Sequence, residues 1–248
     1  HLDGRTSNLP GLFVLGLPFY LLGDVGFLQT ATFLLLAFTL WKAPLVRKLS
    51  SPGQHIDRIL FMVLMFAFSS SYMWEIYVKS DLMSNFIIVL CAMIWVYPLM
   101  ERGKERHIWW IALIFSFLSL TRLNIVLVLS IFGTGYFMGL KPISKIRFLL
   151  IAFVSISLLL IVAFYNYGSL ENFRQFNPFV LQNKQSPILL SILLLMASLI
   201  AWLFVRGFRQ GLNWTIAIMF ISVVVPFILT VGDSSWFAAV HESRFDIS

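Results

Sequence analysis

Long apolar runs without charged residues, separated by short polar segments, dominate this 248-residue chain. A transmembrane helix needs about 20 predominantly apolar residues, whereas a membrane β-strand shows about ten residues of alternating polarity. The runs here are continuous and rich in Leu, Ile and Phe, so they predict helices. The uncharged runs are Leu9–Gly23, Val25–Trp41, Ile59–Trp74, Leu82–Met100, Ile108–Thr121, Leu123–Leu140, Phe148–Tyr165, Pro187–Val205 and Leu212–Gly232.

Two of these runs are short. Leu9–Gly23 contains two prolines and three glycines, which predicts an interfacial or re-entrant segment leading into the helix at Val25. Ile108–Thr121 is long enough to span only if it starts at the headgroup level and ends near Arg122, whose side chain can snorkel. The pattern therefore predicts an all-α, polytopic transmembrane helical bundle of about eight membrane helices.

The composition agrees with a membrane protein. Hydrophobic residues make up 59% of the chain and charged residues 12%, with a mean hydropathy of +0.88. A soluble domain has about 25% charged residues, so this chain cannot cover a water-facing surface. The net charge of +7 comes from basic clusters between apolar runs, which indicates membrane orientation and no nucleic-acid partner.

The distribution of Lys and Arg predicts the orientation, because cytoplasmic loops carry the excess of basic residues. Twelve of the 18 fall in four alternate loops, and six fall on the other side, as do eight of the 11 acids. The twelve, predicted to be cytoplasmic, are Lys42, Arg47, Lys48, Arg58, Arg102, Lys104, Arg106, Lys141, Lys145, Arg147, Arg206 and Arg209. The protein is thus expected in the plasma or inner membrane, with multiple spans.

Both ends of the chain are polar, "HLDGRTSNLPG" and "HESRFDIS". We interpret residues 1–248 as a single transmembrane domain. We expect it to be a fragment of a longer protein that lacks the first helix and the C-terminal helices or any soluble domain.

Asp81 and Arg122 both fall on the predicted outer face, where they can meet. Each also has a structural interpretation, since Asp81 can cap a helix start beside Ser80 and Arg122 can snorkel at a tight hairpin. In the functional interpretation, both residues line an outer cavity together with Glu75 and Arg244. This cavity would bind an anionic lipid headgroup and a polar acceptor. Arginine suits phosphate oxygens, and a carboxylate can act as general base.

Two short motifs in this chain resemble those of a known protein family. Ser80-Asp81 opens one apolar run and Leu120-Thr121-Arg122 closes another, which resembles the middle of a GT-C type integral-membrane glycosyltransferase, of the class that includes PMT-like and aminoarabinose-transferase-like proteins. "PFYLLG" is similar to the end of that family's first outer loop, and "SRF" to its R-[YF] element. The segment 108–121 departs from the family pattern, because it lacks the usual glycines.

The resemblance implies transfer of a sugar from a polyprenyl-phosphate carrier to a lipid, glycan or protein acceptor at the extracytoplasmic face. Arg122 and Arg244 would stabilise the leaving phosphate, and Asp81 would position the acceptor or the arginines. A first-loop carboxylate would activate the acceptor; Asp3 is the early candidate, although it also fits a later loop position. Some relatives use a divalent metal, but no His/Asp spacing in this chain argues for one.

His241 and Glu242 lie beside Arg244 and fit either a substrate-cleft loop, a solvated loop or a weak metal-ligand pair. We keep three further classes open: a secondary transporter of a small anionic or polar solute, a lipid-glycan polymerase or ligase, and a membrane scaffold. A transporter binds substrate near the bilayer midplane, whereas the charges of this chain lie at the ends of the apolar runs. That placement favours the enzyme.

Overall fold

The computed structural model describes residues 9–44, 46, 56–57, 59–61, 63–64, 68–69, 73, 82–102, 105–165, 188–205 and 208–233. Over these residues the chain is helical and contains no strand, which confirms the all-α prediction. The described helices with defined bounds are α1 (Pro10–Leu21), α2 (Phe27–Lys42), α3 (Leu82–Arg102), α4 (Ile108–Ser119), α5 (Leu123–Met138), α6 (Pro142–Phe164), α7 (Ile188–Phe204) and α8 (Phe208–Asp233).

Two described helices are long and apolar enough to cross a membrane, within α3 (Ser84–Glu101) and over all of α6 (Pro142–Phe164). Over these windows 56% of the α3 residues are buried, but only 6% of the α6 residues. A helix that is apolar all round and exposed is expected in lipid rather than in water. These helices favour a membrane protein, whereas the larger number of spans stays a prediction.

Most of the helices begin and end within a few residues of the uncharged runs in the sequence. The start of α6 is the main exception. The run begins at Phe148, but the helix begins at Pro142. Proline is favoured at the first helical position, because its fixed φ suits the helix and no amide is lost. Lys145 and Arg147 therefore lie inside the helix, in its first two turns. A charged residue ends an apolar run without ending the helix.

The chain divides into two compact units: an N-terminal unit, Leu12–Ile114, and a C-terminal unit formed by His1–Gly11 and Phe115–Ser248. In the N-terminal unit α2 packs against α3 through Leu36, Leu40, Ile87 and Cys91. In the C-terminal unit α5, α7 and α8 enclose a second apolar core of Ile131, Leu194, Ala201, Val205 and Ile218.

The segment predicted to be interfacial or re-entrant forms α1, whose 12 residues extend about 18 Å and are too short for a bilayer core. The helix is followed by Gly23 with φ of +99°, a left-handed conformation that glycine adopts without strain. The side chain of Asp24 then accepts a hydrogen bond from the amide of Gly26 at 2.8 Å. This turn carries the chain into α2.

Candidate functional site

The turn between α4 and α5 places Arg122 at the start of a helix. The Thr121 hydroxyl donates to the Leu118 carbonyl at 2.7 Å, and the amide of Thr121 donates to the same carbonyl at 3.0 Å. These bonds satisfy the end of α4. Arg122 is extended, with φ −150° and ψ 149°, and its carbonyl accepts from the amide of Ile125 as α5 begins.

Arg122 is buried, with 5% of its surface exposed. Among the charged residues whose side chains the structure describes, it is the buried one; the other lysines, arginines, aspartates and glutamates are exposed or partly exposed. Removing a guanidinium from water costs several kcal/mol in proteins, unless partners offset the loss. A buried ionisable group in such an apolar chain is a candidate for a functional site.

A close backbone contact holds this turn in place. The amide of Gly11, at the start of α1, donates to the carbonyl of Leu120 at 2.7 Å. Glycine is required there, because a Cβ on Gly11 would lie 2.8 Å from the carbonyl carbon and oxygen of Leu120. Both residues belong to the C-terminal unit. The site thus depends on a contact between residues 109 positions apart in the sequence.

Buried polar groups also lie near the beginnings of three helices that are predicted, from the charge pattern, to start at the outer face. Gln29 and Thr32 lie in the first two turns of α2, Ser84 and Asn85 in the first turn of α3, and Asn124 follows Arg122 in α5. The side-chain oxygens of Asn85 and Asn124 are buried and accept no hydrogen bond from the described residues.

Those two oxygens need donors to offset the cost of their burial. A hydroxyl-rich ligand could supply such donors. The sequence analysis did not select these asparagines, and the signal that identifies them is a polar side chain just inside the predicted outer end of an apolar run. The buried hydroxyl of Ser198, by contrast, has a local partner, because it donates to the Leu194 carbonyl at 2.8 Å.

Arg122 is the predicted site residue that falls within the described part of the chain. The other predicted site residues, Asp3, Glu75, Asp81, His241, Glu242 and Arg244, lie outside the described residues. The meeting of Asp81 with Arg122 therefore stays a prediction. Within the described ranges, no group of three or more His, Cys, Asp or Glu side chains is arranged to hold a metal ion.

Comparisons with models of protein families, with curated proteins and with solved structures found no match to this chain.

Proposed function

We propose that this chain is the multi-pass membrane domain of a glycosyltransferase. It would transfer a sugar from a polyprenyl-phosphate carrier to a lipid, glycan or protein acceptor at the extracytoplasmic face. The all-helical architecture and the exposed apolar surface of α6 support residence in a bilayer. The family resemblance of the Ser80-Asp81 and Leu120-Thr121-Arg122 motifs supplies the reaction class.

The observation that carries the proposal is the burial of Arg122 at the start of α5. Hydrogen bonds from a guanidinium to phosphate are charge-assisted and are frequently bidentate. The exposed lysines and arginines of the described chain can meet solvent, whereas Arg122 is withdrawn from it. There its charge stabilises a developing anion more strongly than it would in water.

In the proposed reaction the acceptor oxygen attacks the anomeric carbon of the donor sugar. The bond between that carbon and the phosphate oxygen breaks, and the electron pair leaves with the polyprenyl phosphate. Arg122, together with Arg244, stabilises the leaving phosphate. A carboxylate, for which Asp3 is the candidate in this sequence, takes the acceptor proton, and Asp81 positions the acceptor or the arginines. Glu75, His241 and Glu242 complete the proposed substrate cleft.

The asparagines have a role in this proposal as well. The buried oxygens of Asn85 and Asn124 can each accept a hydrogen bond from a hydroxyl group. Sugars provide such donors, whereas the polyprenyl chain does not. We assign Asn124, which follows Arg122 in the same unit, to binding of the donor sugar, and Asn124→Leu should therefore reduce transfer.

Membranes containing the protein test the role of Arg122. Binding of the lipid phosphate is measured by photolabelling with undecaprenyl phosphate that carries a photoactivatable group. Transfer is measured separately with a panel of polyprenyl-phosphate sugars, each labelled in the sugar. Arg122→Met removes the charge but retains an apolar side chain that fits a buried position. We expect transfer to fall about 100- to 1,000-fold, the loss typical when one group that stabilises transition-state charge is removed. Photolabelling should fall as well.

Two variants sharpen this test. Arg122→Lys keeps the positive charge but loses the planar fork, so transfer should lie between those of the wild type and Arg122→Met. Arg106→Gln removes an exposed arginine and should leave transfer unchanged. Normal photolabelling and transfer in Arg122→Met would refute the proposal. Uptake of a small solute that depends on Arg122, without any sugar transfer, would instead favour the transporter.

Asp81→Asn separates acceptor positioning from donor binding. This substitution should abolish transfer while leaving photolabelling by the phosphate probe near the wild-type level, because the carboxylate is assigned to the acceptor. Equal transfer in Asp81→Asn and the wild type would remove Asp81 from the site, even if Arg122 retains its role.

A further inference from the structure

Helix α6 is attached to the C-terminal unit through its N-terminal part. Phe148 makes edge-to-face contacts with Phe115, Tyr136 and Phe137, with ring centroids 5.7 to 6.4 Å apart. Ile151, one turn further on, is buried. From residue 152 to the end of α6, no described side chain is buried. The aromatic cluster therefore anchors this end of the helix.

Three basic residues surround the anchored end. Lys141 precedes the first residue of α6, and Lys145 and Arg147 follow in its first two turns. Lys141 and Arg147 are exposed, and the ammonium group of Lys145 lies 5.9 Å from the ring centroid of Phe137. The sequence contains no Asp or Glu from residue 106 to residue 170. These three residues, which we call the α6 basic cluster, have no acidic residue in the surrounding helices α4 to α6.

An exposed apolar surface continues directly from the α6 basic cluster. Ile146, Leu149, Leu150 and Phe153 are each 56 to 71% exposed. They lie on the side of the helix opposite to Ser144 and Ile151, which are buried. At 1.5 Å per residue, the 23 residues of α6 extend about 34 Å, close to the thickness of a bilayer core.

A partner that covers both surfaces must carry negative charge at one end and hydrocarbon along its length. An anionic phospholipid has this form, with the phosphate at the level of the headgroups and the acyl chains beside the apolar residues of α6. An acidic protein segment or a nucleic acid would meet the charges and leave the apolar residues uncovered. At the cytoplasmic end of a membrane helix, each basic residue increases the affinity for anionic lipids several-fold.

We propose that the first turns of α6 form a binding site for an anionic phospholipid of the cytoplasmic leaflet. The headgroup phosphate binds between the side chains of the α6 basic cluster, and an acyl chain lies along Ile146, Leu149 and Phe153. This inference rests on the membrane residence in the proposed function and is independent of glycosyl transfer.

Native mass spectrometry of the protein, purified in mild detergent, tests this site with an equal mixture of phosphatidylglycerol and phosphatidylcholine. The wild type should retain phosphatidylglycerol preferentially. Lys145→Gln with Arg147→Gln should weaken phosphatidylglycerol binding roughly 30-fold, since each charge contributes about fivefold, and should leave phosphatidylcholine binding unchanged. High salt should weaken the wild-type preference, because the headgroup charges remain near solvent.

The matched control is Lys42→Gln with Arg106→Gln, which also removes two exposed positive charges, but from the N-terminal unit. Equal loss of phosphatidylglycerol in both double variants would overturn the site, because only net charge would then matter. Binding of a poly-glutamate peptide as tight as that of phosphatidylglycerol would also overturn it. Extraction of the protein from membranes without detergent would refute membrane residence itself. Absence of glycosyl transfer by the wild type, with its lipid selectivity intact, would refute only the proposed enzymatic activity.

Discussion

Gly11→Ala is the most direct perturbation of the turn that carries Arg122. A Cβ at Gly11 would lie 2.8 Å from the Leu120 carbonyl carbon and oxygen and 2.9 Å from the Phe117 carbonyl oxygen. All three atoms belong to the backbone, so no side-chain rotation relieves the contact. To restore ordinary contact at 3.4 Å, the start of α1 must move by about 0.6 Å relative to the turn.

That movement should lower the stability of the protein by an amount that can be calculated from the structure. The hydrogen bond from the Gly11 amide to the Leu120 carbonyl, at 2.7 Å, would lengthen to about 3.3 Å, beyond the usual range. Steric overpacking costs about 1 to 3 kcal/mol, and the weakened hydrogen bond adds about 1 kcal/mol. The free energy of unfolding should thus fall by about 2 to 4 kcal/mol. For a chain of this size, where 1 kcal/mol corresponds to about 2 to 4 °C, the midpoint of thermal unfolding should fall by about 4 to 16 °C.

Tryptophan fluorescence during heating in detergent measures this midpoint, and Gly135→Ala supplies the control. Gly135 also lies in a helix, but a Cβ there would have no atom within 4 Å. Replacing a helical glycine by alanine in open space is neutral or stabilises by up to about 1 kcal/mol. Gly11→Ala should also reduce photolabelling by the phosphate probe, since it moves the turn. Equal midpoints for the two alanine variants would refute the reasoning.

Further substitutions test the packing on which both proposals rely. Phe148→Ala should lower the free energy of unfolding by about 2 to 4 kcal/mol, whereas Phe153→Ala, at a position 71% exposed, should change it by less than about 0.5 kcal/mol. In the N-terminal unit, the indole N–H of Trp95 donates to the Thr39 hydroxyl at 3.1 Å; Trp95→Phe and Thr39→Val should each cost about 1 kcal/mol, and the double variant clearly less than their sum.

The helices could be predicted from the sequence largely because each apolar run is long and uninterrupted. The runs beginning at Leu82, Ile108 and Leu123 start at the same residues as α3, α4 and α5. The start of α6 could not be predicted in this way, since charged residues at a membrane interface continue a helix at little cost. Proline at position 142 is the local signal for that start.

The site was harder to predict than the helices. Arg122 could be selected because it is a single charge between two apolar runs, but its burial is a tertiary feature, and the turn before it contacts Gly11, which local sequence does not relate to it. Asn85 and Asn124 are uncharged and lie within apolar runs, so the search for charged positions did not select them. Whether Asp81 meets Arg122 depends on tertiary structure at a residue outside the described ranges.

The chain handles its positive charges in two different ways, and the contrast indicates where chemistry should be sought. Lys42 lies 3.9 Å from the ring centroid of Trp41 and Lys145 lies 5.9 Å from that of Phe137, so both pair with aromatic rings near helix ends. Such cations remain near water and cost little free energy, as interfacial residues do. Arg122 is instead withdrawn from solvent by a turn whose geometry requires a glycine from α1. Because the other described lysines and arginines remain exposed or partly exposed, the buried guanidinium of Arg122 is the position in the described chain where the proposed anion binding should be tested first.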